Sequence, residues 1–140
     1  MERNLKTFSG NRIEVQLDGR KVGLIQSMRA SDNYGLEDAS GIGDIHVIEH
    51  VPSKAVHILS ITAMTLFKGN LRDAGIAPEN GAAVLQGHVF DVAVYSKDTG
   101  KSLVVYTGCS YDSGDVDISA HRIVMQSGSF KALDRRGNAL

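Results

Sequence analysis

The chain has 140 residues, the usual size of one domain, and its 15 Lys and Arg against 16 Asp and Glu leave no net field that would select nucleic acid or an anionic membrane. The single cysteine, Cys109, excludes an intramolecular disulfide, and no run of about 18 apolar residues exists to cross a membrane as a helix. Residues 1–6 lack the apolar stretch of a signal peptide, so a soluble protein made in cytoplasm is expected.

Asn11 to Leu17 puts Ile13, Val15 and Leu17 on one parity and Arg12, Glu14 and Gln16 on the other, the two-residue period of a half-buried strand. Asp18-Gly19 supplies the positive φ of a tight turn, and Val22, Leu24 and Ile25 begin a returning strand, so a hairpin is expected here. Ser31 to Asp44 follows, a Gly-, Asp- and Ser-rich stretch longer than the about 12 residues at which a structureless connection becomes unusual. Tyr34, Leu36 and Ile42 make it too apolar for a disordered linker. It reads as an assembly arm ending at Asp44, with an ordinary surface excursion packed on its own domain as the alternative.

Ile45 to Val51 and Ala55 to Leu66 are rich in β-branched residues and joined across Pro52-Ser53, which suits a strand pair with a corner. One segment has helical character: Asn70 can cap a short helix through Ala74, Gly75 can close it, and Pro78 prevents its continuation. Val84 to Tyr95 is the next strand, with Phe90, Val92 and Val94 on one face and Val89, Asp91 and Ala93 on the other, so both faces are expected to be partly buried. Lys97-Asp98-Thr99-Gly100 turns the chain into Ser102 to Ser110, and a second turn is expected at Asp112-Ser113-Gly114. Val116 to His121 and Ile123 to Phe130 complete an all-β sandwich or barrel of short strands with one minor helix.

His46-Val47-Ile48-Glu49-His50 matches the H-x-x-E-H pattern of inverted zinc proteases. That chemistry needs a helix, on which residues four apart share a face and reach one zinc ion. Gly41 and Gly43 before the run, Pro52 after it and its β-branched interior favour a strand instead. On a strand, His46 and His50 stand about 13 Å apart at ~3.3 Å per residue and cannot chelate one ion together. Gly41-Ile42-Gly43 begins like a dinucleotide fingerprint, but His46 occupies the third glycine's place and no long helix follows. Asp112, Asp115 and Asp117 surround Gly114 without the spacing of a calcium loop. Cys109, in an apolar alternating run, reads as a small core residue, and Ser27 and Ser110 lack a nucleophile-elbow context. No catalytic, cofactor or metal constellation survives, and the chain is expected not to be an enzyme. The competing reading is a small β-barrel binding module or metal-dependent enzyme using His46, Glu49 and His50.

The hairpin region Asn11 to Leu24, the run Ala30-Ser31-Asp32-Asn33-Tyr34-Gly35, and Ala39 to Val47 resemble the tail tube proteins of contractile-tailed bacteriophages. Gly75 to Gly81, Val84-Leu85-Gln86-Gly87 with Phe90-Asp91, and Tyr106 to Tyr111 are similar to the same group, so the likeness spans residues 9–133. The resemblance implies a tail-tube-like β-barrel or sandwich with one short flanking helix and a long inter-subunit loop. It implies a single tail-tube domain over residues 1–140, with an N-terminal arm at 1–9, an extended assembly loop at 31–44 and a C-terminal tail at 134–140. Six copies would form a ring, and rings would stack into a tube inside a contractile sheath. The implied partners are further copies of the chain, the tail sheath protein, and baseplate and tail terminator proteins. The tape-measure protein and DNA would pass through the lumen without sequence-specific binding. The implied place is the virion tail, assembled in the host cytoplasm and active in genome ejection.

Within that frame, Tyr34, Leu36, Ile42 and Asp44 are the inter-subunit loop candidates. A lumen lined with Lys and Arg would bind DNA and slow its passage, so an acidic or neutral wall is expected. Glu14, Glu49, Asp91, Asp115 and Asp117 are its candidates.

Overall fold

A computed structural model of the chain describes residues 9–10, 13–19, 23–66, 76–77, 87–137 and 139–140, the side chain of residue 66 excepted. Nine strands occur among these residues: β1 (Ile13–Leu17), β2 (Gly23–Asn33), β3 (Glu37–Ala39), β4 (Glu49–Val51), β5 (Val56–Leu66), β6 (Phe90–Ser96), β7 (Ser102–Asp117), β8 (Met125–Ala132) and β9 (Asp134–Arg136). Seven of them form one antiparallel sheet in the order β1-β6-β7-β8-β5-β2 with β9 beside β7, and β3 and β4 form a separate pair. The chain is all-β as expected, and the sheet curls into a half-barrel. The helix expected at 70–75 and most of the early part of the strand expected from Val84 lie outside the described residues.

The β6–β7 hairpin follows its local sequence. Lys97 to Gly100 make the turn, with Gly100 N donating to Ser96 O at 2.8 Å and Ser96 N to Lys101 O at 3.0 Å. Phe90, Val92 and Val94 point inward and are buried, as is Ala93 on the opposite face, matching the two-sided burial read from the sequence. Phe90 and Phe130 meet edge to face at 5.1 Å between centroids, and Leu17, Leu59, Ile61, Met64 and Tyr106 complete the core around them.

Several expected elements are corrected. Asp18 and Gly19 take the positive φ of the expected tight turn, 54° and 77°, yet among the described residues β1 and β2 do not pair with each other. β1 pairs with β6, setting Val15 against Val94 and Leu17 against Val92, and Asp18 N donates to Asp91 O at 2.7 Å, which ties the turn to β6. β2 pairs with β5 instead. The strand pair expected of Ile45–Val51 and Ala55–Leu66 is also absent, because β4 pairs with β3 and β5 lies between β2 and β8.

The turn expected at Asp112-Ser113-Gly114 is strand, and the chain reverses only beyond Asp117. Gly114 is there for space. It sits opposite Gly128, and the Tyr111 side chain lies across both, so a Cβ at Gly114 would overlap the Tyr111 hydroxyl. The strands expected at Val116–His121 and Ile123–Phe130 become the end of β7, a loop, and β8. Asp134–Arg136, expected as the start of a tail, pair with β7 as β9.

β5 carries a bulge. Ile61 pairs with Gly128 and Met64 with Gln126, so β5 spends one extra residue, and Ala63 takes φ 51° there. The bulge shifts the side-chain parity, which allows Leu59, Ile61 and Met64 all to face the core.

Candidate assembly interface

The segment read as a loop is a projecting hairpin. Ser31 to Asn33 belong to β2, and Glu37–Ala39 pair with Glu49–Val51, so the expected structureless stretch is partly ordered by its own return strand. At its root, Asn33 Oδ1 accepts from Gly35 N at 2.9 Å, and Ser53 N donates to Tyr34 O at 3.1 Å. Gly35 takes φ 56° with Ser53 Oγ and the Lys54 backbone packed against it, a place where a Cβ has no room. Farther out, His50 Nδ1 meets Asp38 Oδ1 at 2.9 Å across the strands. Asp44 shapes the tip: its carboxylate accepts from Gly41 N at 2.6 Å, and its own N–H donates to Gly41 O at 3.1 Å.

This hairpin exposes an unusual amount of apolar surface. Ile42 is fully exposed, Ile45 is 93% and Ile48 72% exposed, and Tyr34, Leu36, Val47 and Val51 are also exposed. Its charged groups are acidic, Glu37, Asp38, Asp44 and Glu49, with no Lys or Arg between Arg29 and Lys54. Tyr34, Leu36 and Ile42 are exposed on this hairpin, while Asp44 acts on the tip's own shape. Ile45 and Ile48 share this exposure, which the sequence hid because the β-branched run Ile45 to Val51 reads as one half of a strand pair.

Two further surfaces stand open. β1 pairs only with β6 and β2 only with β5 among the described residues, and a cleft of about 660 Å³ runs between these edges. Ile13, Val15 and Leu24 line its sides, and Val94 and Val104 lie deeper. The β7–β8 reversal exposes Val116, Ile118, Ile123 and Val124, another apolar tip that the expected strands concealed.

The outer face of β2, β5, β8 and the second half of β7 has a different character. Paired positions there run Arg29, Ser60, Ser129, Ser113 in one row and Ser31, Ile58, Lys131, Ser110 in the next. Asp115 and Asp117 continue the same side of β7. The other lumen candidates lie elsewhere. Glu14 borders the cleft, Glu49 is on the arm, and Asp91 accepts from Gly108 N at 3.2 Å.

The H-x-x-E-H residues do not converge. His46 precedes β4 in a bend, Glu49 and His50 are exposed on β4, and His50 faces Asp38. Among the described residues no three His, Cys, Asp or Glu side chains are grouped to hold a metal ion. Cys109 is fully buried in the core, and burial pushes its thiol up from 9.0 to about 11.

The Phi812 tail tube protein family model matches residues 2–136. Virion protein 5 of Enterococcus phage phiEF24C is 27% identical over 130 residues, covering 93% of this chain and 92% of that protein. The fold is similar to the tail of an empty gene transfer agent particle, determined by helical refinement in C6 symmetry, with TM-score 0.65 and 15% identity over 95% of this chain and 100% of the other. It is also similar to a chain of the sheath–tube complex of the extracellular contractile injection system PVC in its extended state, with TM-score 0.66 and 14% identity over 96% and 94% of the two chains. With the family model spanning nearly the whole half-barrel and its arm, the chain belongs to the Phi812 tail tube protein family.

Proposed function

We propose that six copies of this chain close into a ring and that rings stack into the inner tail tube of a contractile virion tail. The observation that carries the reading is the β3–β4 hairpin, whose isoleucines stand in solvent on their own subunit. Burying one such side chain on a neighbour contributes about 1.5–3 kcal/mol, so several together offset part of the entropy lost on association. Among the described residues the outer edges of β1 and β2 have no strand beside them, which adds a second reason for neighbours, since an uncovered edge invites uncontrolled pairing. The six-fold symmetry of the similar gene transfer agent tail supports the copy number, and the similar sheath–tube complex supports a surrounding sheath.

In this reading the hydroxyl-rich outer face of β2, β5, β8 and β7 lines the lumen. Short Ser side chains, with Arg29 and Lys131 offset by Asp115 and Asp117, give DNA and the tape-measure protein a nearly neutral wall with little to hold phosphate. Sheath, baseplate and tail terminator proteins are the remaining partners, and genome ejection is the event served. Mass measurement and negative-stain microscopy of purified protein test the proposal. Rings or tubes are expected from the native chain. Deletion of Leu36 to Gly41 should give a folded monomer only, and normal tubes from it would refute the arm's role.

A further inference from the structure

The two roots of the hairpin are joined by a polar cluster that the tube reading does not use. Asp32 and His57 form the next-to-last register pair of β2 and β5, directly inside the point where the arm leaves the sheet. Their side chains share the inner face with Leu59 and Phe130, and His57 is only 5% exposed, the one buried polar or charged side chain among the described residues. A buried imidazole needs a partner. Its Nδ1–H donates to Asp32 Oδ1 at 2.6 Å.

The second carboxylate oxygen faces β9. Arg135 Nε lies 3.6 Å from Asp32 Oδ2, the guanidinium sits 6.0 Å from the centre of the Tyr106 ring, and its terminal nitrogens donate to the carbonyls of Gly137 and Leu140. Among the described residues Arg135 Nε has no hydrogen-bond partner, and Asp32 Oδ2 is the carboxylate oxygen set beside it. The His57 ring meets Tyr106 edge-on at 6.3 Å and Tyr34, the first arm residue, at 6.2 Å. The cluster thus touches both arm roots, β7, β9 and the C-terminal residues at once.

We infer that Asp32, His57 and Arg135 are positioning residues that fix the angle at which the β3–β4 hairpin leaves the sheet, linking the arm to the C-terminal strand. This rests on the arm reading above. A carboxylate confined between an imidazole N–H and a guanidinium has one preferred orientation. Because Asp32 precedes Tyr34 by two residues, that orientation is passed to the arm's first turn. Without the cluster the hairpin keeps its own cross-strand bonds but swings on Gly35 and Ser53.

Amide hydrogen exchange of the full-length chain, at a concentration below assembly, tests the inference. Asparagine at 57 can place its amide nitrogen where the imidazole Nδ1 stands and keep the donation to Asp32, whereas glutamine cannot. His57→Gln should speed exchange of residues 34–55 roughly tenfold or more relative to β7 and β8, and His57→Asn should remain near native. Arg135→Gln, at a partly exposed position, gives the same readout if His57→Gln does not fold. Unchanged arm exchange in these variants overturns the inference, as does equal loosening by His57→Asn and His57→Gln. The exchange is read on monomers, so a native chain that never assembles would sink the tube reading and leave this result standing.

Discussion

Replacing Ile42 and Ile45 together by serine should leave the monomer intact and stop tube growth. Both side chains stand almost wholly in solvent on their own subunit, so their loss costs the isolated fold little, within about 0.5 kcal/mol for a surface change. On a neighbour the arithmetic is different. Full burial of each isoleucine contributes about 1.5–3 kcal/mol, so the pair removes about 3–6 kcal/mol from every arm contact. At about 1.4 kcal/mol per tenfold, the concentration needed for assembly should rise roughly 10²- to 10⁴-fold. Pelleting across a concentration series reads that threshold, and thermal unfolding in dilute solution reads the monomer. Assembly at the native threshold would refute the arm as an adhesive element. A monomer destabilised by more than about 1 kcal/mol would show that the isoleucines pack on their own chain.

Phe130→Ala removes the ring against which Phe90 and Tyr111 pack and should cost about 3–5 kcal/mol in denaturant unfolding. Gly128→Ala sets a methyl about 3.1 Å from the Phe130 ring and should destabilise the monomer measurably by the same assay, through displacement of that ring. The Cys109 thiol keeps its proton in the folded chain up to about pH 11 but loses it above 9.0 when unfolded, so its stability contribution is whole below pH 9.0 and falls between 9.0 and 11. Cys109→Ala should flatten the pH dependence of stability in that window. Asp115→Lys with Asp117→Lys should convert tubes that ignore DNA into tubes that bind it with strong salt dependence, read by co-sedimentation over a salt series.

Local chemistry was legible and long-range partnership was not. Lys97 to Gly100 announced the β6–β7 hairpin because turn and both strands lie within one short stretch. Asp18-Gly19 announced a turn equally well, but which edges β1 and β2 join depends on β6 and β5, far away in sequence. Gly114 looked like turn punctuation, whereas it makes room for Tyr111, a contact no spacing rule reveals. The stretch from Ser31 to Asp44 drew notice through its length and its apolar residues, but its hairpin was hidden, since strands of three residues show no period. The Asp32–His57–Arg135 cluster unites three elements and left no local signal at all.

A helical reconstruction of the purified, assembled chain would show whether the hairpin joins the copies of a six-fold tube. Six-membered rings are expected, in which the 34–51 hairpin of every copy lies buried on an adjacent copy, with Ile42, Ile45 and Ile48 out of solvent. Monomers that persist at high concentration, or tubes whose hairpins project freely into solvent, would contradict it.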